Sequence, residues 1–243
     1  MTRWWTPVDG VPRLGQGAVH VWRIDVRRSE EVMRRLRATL TRDEEERAAR
    51  FRFDRDRGSF ECTRGALRIL TGAYLGIDPA DVRFDYDAKG KPSTKGLSFN
   101  VSHAGDLAVA AFARCGRVGV DVEVMDAAVE LRTLARRFFS EPENAVLEEL
   151  EGDALVRGFY ACWTRKEAFV KAVGEGVSLL ERVEVAVHGP ARVLSVDGDV
   201  GAAAGWSMAD LAAGEGYAGA VVADGADVAV ELWDWPGLEV GVS

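Results

Sequence analysis

Hydrophobic and polar positions along this chain change period several times, and each change marks an element. Val19-His20-Val21-Trp22-Arg23-Ile24-Asp25-Val26 alternates with the two-residue period of a strand, and helices are expected to follow it. Thr41 with Glu44 three positions on spells a capping box, and Asp43, Glu44 and Glu45 suit the positive end of the helix it opens. A second helix carries Phe60, Leu67, Leu70 and Tyr74 on one face and is expected to stop near Gly76, ahead of Asp78-Pro79. Three short strands are predicted next, at Val82 to Tyr86, Leu97 to Val101 and Leu107 to Ala113.

From Arg117 the same order begins again. A strand is predicted at Val118 to Val124, helices from about Leu131 to Val173, and strands at Val183 to Val187, Ala191 to Val196, Tyr217 to Ala223 and Val228 to Trp233. Strand, helices and antiparallel strands, occurring twice, predict an α+β fold of two similar, pseudo-symmetric lobes, each a small antiparallel sheet packed against helices. The lobes are expected at residues 1–116 and 117–243, joined near residues 114–118, with a cleft where they meet.

Composition narrows the class. A chain that is 47% hydrophobic and 29% charged is ordinary globular material. The longest apolar run, Leu107 to Ala113, is far shorter than the roughly 20 residues of a membrane span, and the start has no basic segment followed by an apolar one. A cytoplasmic protein without a membrane partner is expected. Cys62, Cys115 and Cys162 are odd in number and lack metal-ligand spacing, so all three read as free thiols in the core. A net charge of −8 has the wrong sign for nonspecific hold on nucleic acid. Between Arg34 and Arg68, however, the chain carries eleven arginines and no lysine, a local density that suits fixed recognition of an anion as well as a salt-bridged helix surface.

Three clusters carry candidate chemistry. In a strand, Asp121 and Glu123 of Gly119-Val120-Asp121-Val122-Glu123 share a face, with Val120, Val122 and Val124 on the other. Two carboxylates that close repel unless a cation intervenes, and a hard cation such as Mg²⁺ takes one or two of them together with phosphate oxygens; an acidic edge strand is the plainer alternative. In the helix around Trp163-Thr164-Arg165-Lys166-Glu167, steps of four residues turn about 40°, so Trp163, Glu167 and Lys171 follow one another along one side. Val156, Phe159, Trp163 and Val170 form the apolar stripe, which leaves Glu167 at the core's border, needing a metal or an i,i+4 partner in Lys171. The third cluster is Asn100-Val101-Ser102-His103 at a strand end, where Ser102 and His103 point to opposite faces and so cannot form a catalytic pair. Asparagine, serine and histidine there, with Lys89-Gly90-Lys91-Pro92 upstream, offer donors and cations to a phosphate group.

Together these pieces resemble one family. Gly90-Lys91-Pro92, Phe99-Asn100-Val101-Ser102-His103, Gly119-Val120-Asp121-Val122-Glu123, Phe139-Ser140 and Trp163-Thr164-Arg165-Lys166-Glu167 through Lys171 stand in the order and approximate spacing of the 4'-phosphopantetheinyl transferases. The match is to the larger, two-lobed branch typified by the surfactin synthetase activator, and it covers roughly residues 40–180. The resemblance implies the holo-[acyl-carrier-protein] synthase reaction: the phosphopantetheine arm of coenzyme A passes to a serine of an acyl, peptidyl or aryl carrier protein, and adenosine 3',5'-bisphosphate is released. Carriers of fatty acid, polyketide or nonribosomal peptide assembly are the implied partners, and a monomer is expected.

Carried over position by position, Asp121, Glu123 and Glu167 resemble the ligands of Mg²⁺, or of Mn²⁺ in its place. Glu167, Lys171 and Asp121 are the implied catalytic residues, with Lys171 on the pyrophosphate and Glu167, or a water it holds with Glu123, as base. Lys89, Gly90, Lys91, Pro92, Asn100, Ser102, His103 and Lys171 match coenzyme A contacts, and Arg47 matches a basic position near its 3'-phosphate. Some relatives carry a lysine where this chain has Glu44 and a polar residue where it has Phe60, which shifts that recognition toward Arg47 or Arg64. Glu143 stands where some relatives carry an acid proposed as base, but Ser140-Glu141-Pro142-Glu143 also reads as a helix start, and the structural role is favoured. Carrier proteins are typically acidic, so a docking patch is expected around Arg132, Arg136 and Arg137, with Phe138 or Phe139 as apolar anchor. A metal-dependent phosphohydrolase or nucleotidyltransferase, and a noncatalytic carrier-binding module, are the alternatives that such a sequence must be weighed against.

Overall fold

A computed structural model describes residues 5–88, 90–114 and 116–237. In chain order the elements are β1 (Thr6–Pro7), β2 (Ala18–Asp25), α1 (Glu30–Arg37), α2 (Arg42–Ala48), α3 (Asp54–Leu75), β3 (Asp85–Tyr86), β4 (Pro92–Ser93), β5 (Ser98–Ala104), β6 (Leu107–Ala113) and β7 (Val118–Val124). They continue with α4 (Leu131–Phe138), α5 (Glu141–Glu148), α6 (Gly152–Val173), β8 (Val183–Val185), β9 (Val193–Val196), α7 (Val200–Ala203), β10 (Trp206–Asp210), β11 (Tyr217–Asp224) and β12 (Ala229–Asp234).

The fold is α+β, in four layers. The larger sheet has the order β1-β12-β2-β6-β5 and the smaller β10-β11-β7; β3-β4 and β8-β9 are separate hairpins. One face of the larger sheet, with Trp22, Ile24, Phe99 and Phe112, packs on Leu36 of α1 and on Cys62, Leu67, Leu70 and Tyr74 of α3. Its other face, with Val19, Val21, Val109 and Ala111, packs on Val118, Val120, Val122 and Val221 of the smaller sheet. The smaller sheet in turn buries Ala220 and Val222 against Cys162, Phe169 and Ala172 of α6 and the residues around α4 and α5. Burial on both faces explains why β6 is apolar throughout: no position of that central strand meets water. Even His20 of β2 is inside, where its Nδ1 meets the Tyr74 hydroxyl at 2.8 Å.

Local signals held where backbone chemistry is decisive. The Glu44 carboxylate accepts the Thr41 N–H at 3.0 Å, and α3 ends on Gly76, whose φ of +70° is a left-handed helix cap. Two expectations need correction. Val82 to Phe84 is not a strand: Pro79–Asp81 forms a short 3-10 turn, and the Arg68 guanidinium takes the carbonyls of Pro79 and Val82 at 2.8 and 3.0 Å, leaving only Asp85–Tyr86 paired. The division at residue 117 also misplaces the last strand. β12 lies parallel to and between β1 and β2 in the first sheet, where Leu232 adds to the core between the sheets. Strand β10, which the pattern did not mark, pairs with β11; its residues Trp206 to Ala209 are all half-buried, so no alternation shows in the sequence.

The position of α6 rests on one residue. Gly119 of β7 faces α6, and a Cβ there would lie 2.0 Å from the Ala168 carbonyl oxygen and 2.4 Å from the Ala172 nitrogen. Both are helix backbone and cannot turn aside. Gly119→Ala is therefore expected to destabilise the protein by about 1–3 kcal/mol, the usual cost of overpacking, and to push α6 off the sheet. Thermal unfolding checks this; a melting temperature equal to that of the unaltered chain would refute the close approach.

Candidate active site

On β7, residues alternate between the two neighbouring layers. Val118, Val120 and Val122 face the larger sheet, which leaves Gly119, Asp121 and Glu123 facing α6. The closeness that Gly119 allows brings the middle of α6, with Glu167 and Lys171, over the two carboxylates. Asp121 is only 2% exposed, so the acidic face of this edge strand is enclosed, not solvated. Its Oδ1 accepts from Lys171 Nζ at 2.6 Å and from Ser102 Oγ at 2.9 Å, and Lys171 also donates to Ser102 at 2.9 Å. Lys171 is thus the partner of Asp121, which displaces the alternative of a simple Glu167–Lys171 pair along the helix. The second oxygen of Asp121, Oδ2, is buried with no hydrogen-bond partner.

Electrostatics at this point are those of crowded anions. Burial raises the carboxyl of Asp121 above its ordinary value, against the pull of Lys171 and Ser102. Burial and then the charge of Asp121 raise Glu123, with Glu167 adding to the effect and Lys171 opposing it. Burial and Asp121 likewise raise Glu167. Trp163 belongs to the apolar stripe that the helix period predicts, its ring stacked on Phe159 at 5.8 Å.

Do these residues suit a hard cation? Among the described residues, no group of three or more His, Cys, Asp or Glu side chains is gathered tightly enough to hold a metal by itself. The donor set is nonetheless the one that Mg²⁺ uses, carboxylate oxygens completed by substrate phosphates, and the unpartnered Asp121 Oδ2 lacks the ligand that a buried anionic oxygen needs.

Strand β5 closes the other side. Asn100 and Ser102 point toward β7, whereas Phe99 and Val101 point toward α3. Asn100, expected as a coenzyme contact, is turned inward: its Oδ1 accepts the Val120 N–H at 2.9 Å and so joins the edges of the two sheets. His103 lies on the opposite, exposed face, and partial burial together with Lys171 lowers its pKa, against the opposing charge of Asp56. Gly90 takes a φ of +78° in a turn fastened by Asp87, whose carboxylate accepts the Lys91 N–H at 2.8 Å. From that turn Lys91 reaches the Lys171 carbonyl with its ammonium and lowers the distance between hairpin and helix; burial, followed by the charge of Lys171, holds its pKa down. Pro92 starts β4 beside it, and Lys89 lies outside the described residues, as does Cys115.

An arginine–aromatic cluster stands on the first lobe's helices. Arg47 is exposed with its guanidinium 5.3 Å from the Phe60 ring centre. Arg64 is buried among Phe60, Phe84 and Tyr86, at 5.7, 5.3 and 5.9 Å, and its Nη1 has no hydrogen-bond partner. Glu44 is consumed by structure: besides capping α2, it accepts from Arg68 at 2.7 Å and lies 3.7 Å from Arg64. Glu143 is likewise engaged. Its two oxygens hold the Ser140 and Val185 N–H groups and the Lys166 ammonium, at a fully buried position. The expected docking arginines are less free than their helix face promised. Arg132 turns back onto the carbonyls of Leu147 and Leu150, Arg136 lies 3.5 Å from Glu148, Arg137 covers the Phe138 ring, and Phe139 is buried.

Comparison with known proteins agrees with this constellation. Residues 117–222 match the model of the 4'-phosphopantetheinyl transferase superfamily, and residues 27–114 match that of the 4'-phosphopantetheinyl transferase N-terminal region. The chain is 35% identical over 239 residues to the 4'-phosphopantetheinyl transferase HetI of Nostoc sp., covering 95% of this chain and 98% of the relative. It is 30% identical over 164 residues to the 4'-phosphopantetheinyl transferase Sfp of Bacillus subtilis, covering 66% and 72% of the two chains. A relative from Xenopus laevis, named L-aminoadipate-semialdehyde dehydrogenase-phosphopantetheinyl transferase, is 32% identical over 160 residues, 60% of this chain and 53% of its own. The chain belongs to the 4'-phosphopantetheinyl transferase family, in the Sfp-type branch.

A stability consequence follows from the buried carboxylate. A carboxyl whose folded pKa lies above its unfolded value contributes stability at low pH that is lost as pH rises through the folded pKa, so ionised Asp121 costs stability at neutral pH. Asp121→Asn keeps the shape and an acceptor for Ser102. Its melting temperature at pH 7 is expected to equal or exceed that of the unaltered chain, and a fall of several degrees would mean that the Lys171 pair outweighs desolvation.

Proposed function

We propose that the protein moves the 4'-phosphopantetheine arm of coenzyme A onto a serine of apo acyl, peptidyl or aryl carrier proteins, releasing adenosine 3',5'-bisphosphate, with Mg²⁺ or Mn²⁺ as cofactor. The observation that carries this reading is the Asp121 carboxylate, which has one oxygen on Lys171 and Ser102 and the other buried without a partner, with the charges of Glu123 and Glu167 both coupled to it. Family membership supports the same chemistry.

Asp121, Glu123 and Glu167 would hold the metal, which when bound supplies positive charge to the pyrophosphate oxygens. Lys171 adds a second cation beside it and Ser102 a hydroxyl, both already aimed at this point by their bonds to Asp121. The carrier serine oxygen forms a bond to the phosphorus that bears the pantetheine arm. The bond from that phosphorus to the bridging oxygen breaks, its electron pair leaves with adenosine 3',5'-bisphosphate, and the serine proton passes to Glu167, directly or through a water. Gly90, Lys91, Pro92 and His103 form the coenzyme side of the cleft. At its far end Arg47 and Arg64, the latter with a free N–H in an aromatic cage, take the 3'-phosphate, since Glu44 is held by Arg68.

The two-lobe division is kept as a proposal for residues up to β11, with β12 returned to the first sheet. No helix among the described residues is long and apolar enough to cross a membrane, and we place the protein in the cytoplasm, acting as a monomer on carriers of polyketide, nonribosomal peptide or fatty acid assembly.

Mass spectrometry of apo carriers incubated with this protein, coenzyme A and Mg²⁺ is expected to find carriers enlarged by one phosphopantetheine arm. Inorganic phosphate released with no carrier modified would point to a phosphohydrolase instead. In the same assay Asp121→Asn should lose at least a hundredfold in kcat, and full activity at ordinary Mg²⁺ would refute the metal assignment.

Alanine at His103 or Lys91 should raise the KM for coenzyme A more than it lowers kcat, as expected for groups that bind the coenzyme without entering the chemistry. Steady-state kinetics at varied coenzyme A distinguish the two. A collapse of kcat with unchanged KM at His103 would mean acid–base work there.

A further inference from the structure

The arginines between α2 and α3 divide into two groups. Arg42 pairs with Glu46 at 3.1 Å, Arg55 with Asp106 at 3.2 Å, Arg57 with Asp54 at 2.6 Å, and Arg64 and Arg68 share Glu44. Among the described residues Arg47, Arg50 and Arg52 have no carboxylate partner and are exposed; Arg47 lies over Phe60 in the cluster described above, which leaves Arg50 and Arg52. Beside them Phe53 is 60% exposed, with the Arg52 guanidinium 5.4 Å from its ring centre. Its neighbour Phe51 packs on Phe60 at 5.4 Å and anchors the loop that presents this trio. In a chain of net charge −8, two uncompensated guanidinium groups close in sequence to an exposed phenyl ring, one of them over it, form a local reversal of the field.

The patch also borders the mouth of the site. Immediately after Phe53, Arg55 of α3 reaches Asp106 in the turn between β5 and β6, and Asp56 acts electrostatically on His103. On the far side of that turn, Gly105 lies against Val124, 41% exposed and next in sequence to Glu123. The Phe53 loop is thus tied, through the β5–β6 turn, to the strand that carries Ser102 and His103 and to the end of β7 beside Glu123.

We propose that Arg50, Arg52 and Phe53 form a docking surface for the acidic carrier protein, receiving carboxylates that flank an apolar contact on the carrier. The inference rests on the transferase reading of the site. It moves the charge-complementary contact from α4, where Arg132 and Arg136 are already engaged, to the first lobe's bank of the cleft. Surface charges of this kind steer encounter and set register more than they add affinity, so their signature is a salt-sensitive kcat/KM for carrier.

The test compares the unaltered chain with Arg50→Glu/Arg52→Glu and with Phe53→Ala, using an apo carrier that the unaltered chain modifies. The double charge reversal is expected to raise the KM for carrier about tenfold, to remove most of the salt dependence of kcat/KM, and to leave the KM for coenzyme A unchanged. Phe53→Ala should raise the KM for carrier while keeping the salt dependence. Three results would overturn the proposal: carrier kinetics unchanged in both variants, a rise in the KM for coenzyme A instead, or unchanged carrier kinetics with loss of sedimentation on anionic phospholipid vesicles, which would identify a lipid surface. If the unaltered chain modifies no carrier, the transferase reading falls and this docking surface with it; if it does and the variants match it, the docking surface alone falls.

Discussion

Where Gly119 meets α6 there is no space for a side chain: a Cβ would stand 2.0 Å from the Ala168 carbonyl oxygen. That contact sets the distance between the smaller sheet and α6, and so the distance between the carboxylates of β7 and the side chains of α6. Asp121 and Lys171 meet at 2.6 Å because the backbones beneath them touch. A larger residue at 119 would separate them without altering either. Helix and strand are each rigid over their length, so one small residue at their crossing governs every pair of groups that faces across it.

What collects at this crossing is an excess of negative charge, held away from water. Burial raises all three carboxyls, the charge of Asp121 adds to it at Glu123 and Glu167, and Lys171 opposes the effect at each of them. Elsewhere in the molecule, buried acids are fully answered. Glu143 has Lys166 and two backbone N–H groups, and Glu44 has Arg68, Arg64 and the Thr41 N–H. The contrast between those saturated acids and the half-satisfied Asp121 separates structural carboxylates from candidate functional ones better than burial alone, since all three are nearly inaccessible.

Side chains also join the two sheets where strand pairing stops. β5 and β7 are the edges of different sheets, and Asn100 gives its carbonyl oxygen to the Val120 N–H that an adjacent strand would otherwise have bonded. Ser102, two residues on and on the same face, does for Asp121 what Asn100 does for the backbone. A site composed in this way depends on both sheets, since Ser102 of β5 donates to Asp121 of β7 while Asn100 of β5 accepts from Val120 of β7.

Much of this was written in the local sequence. Periodicity placed β2, β6, α3 and α6, the Thr41 and Ser140 helix starts follow from capping chemistry, and the Asp-x-Glu spacing alone put Asp121 and Glu123 on one face. These are properties of neighbours within a few residues, set by backbone hydrogen bonding and side-chain direction. Tertiary packing decided the rest. Whether Lys171 serves Glu167 or Asp121, whether Asn100 faces a ligand or the backbone, and whether Arg132 is exposed or capping a helix end depend on which distant elements come together. The return of β12 to the first sheet is of the same kind, because an alternating strand fits any open edge whose faces match its own. Partner choice between elements far apart along the chain is made by the whole core at once, and no local pattern encodes it.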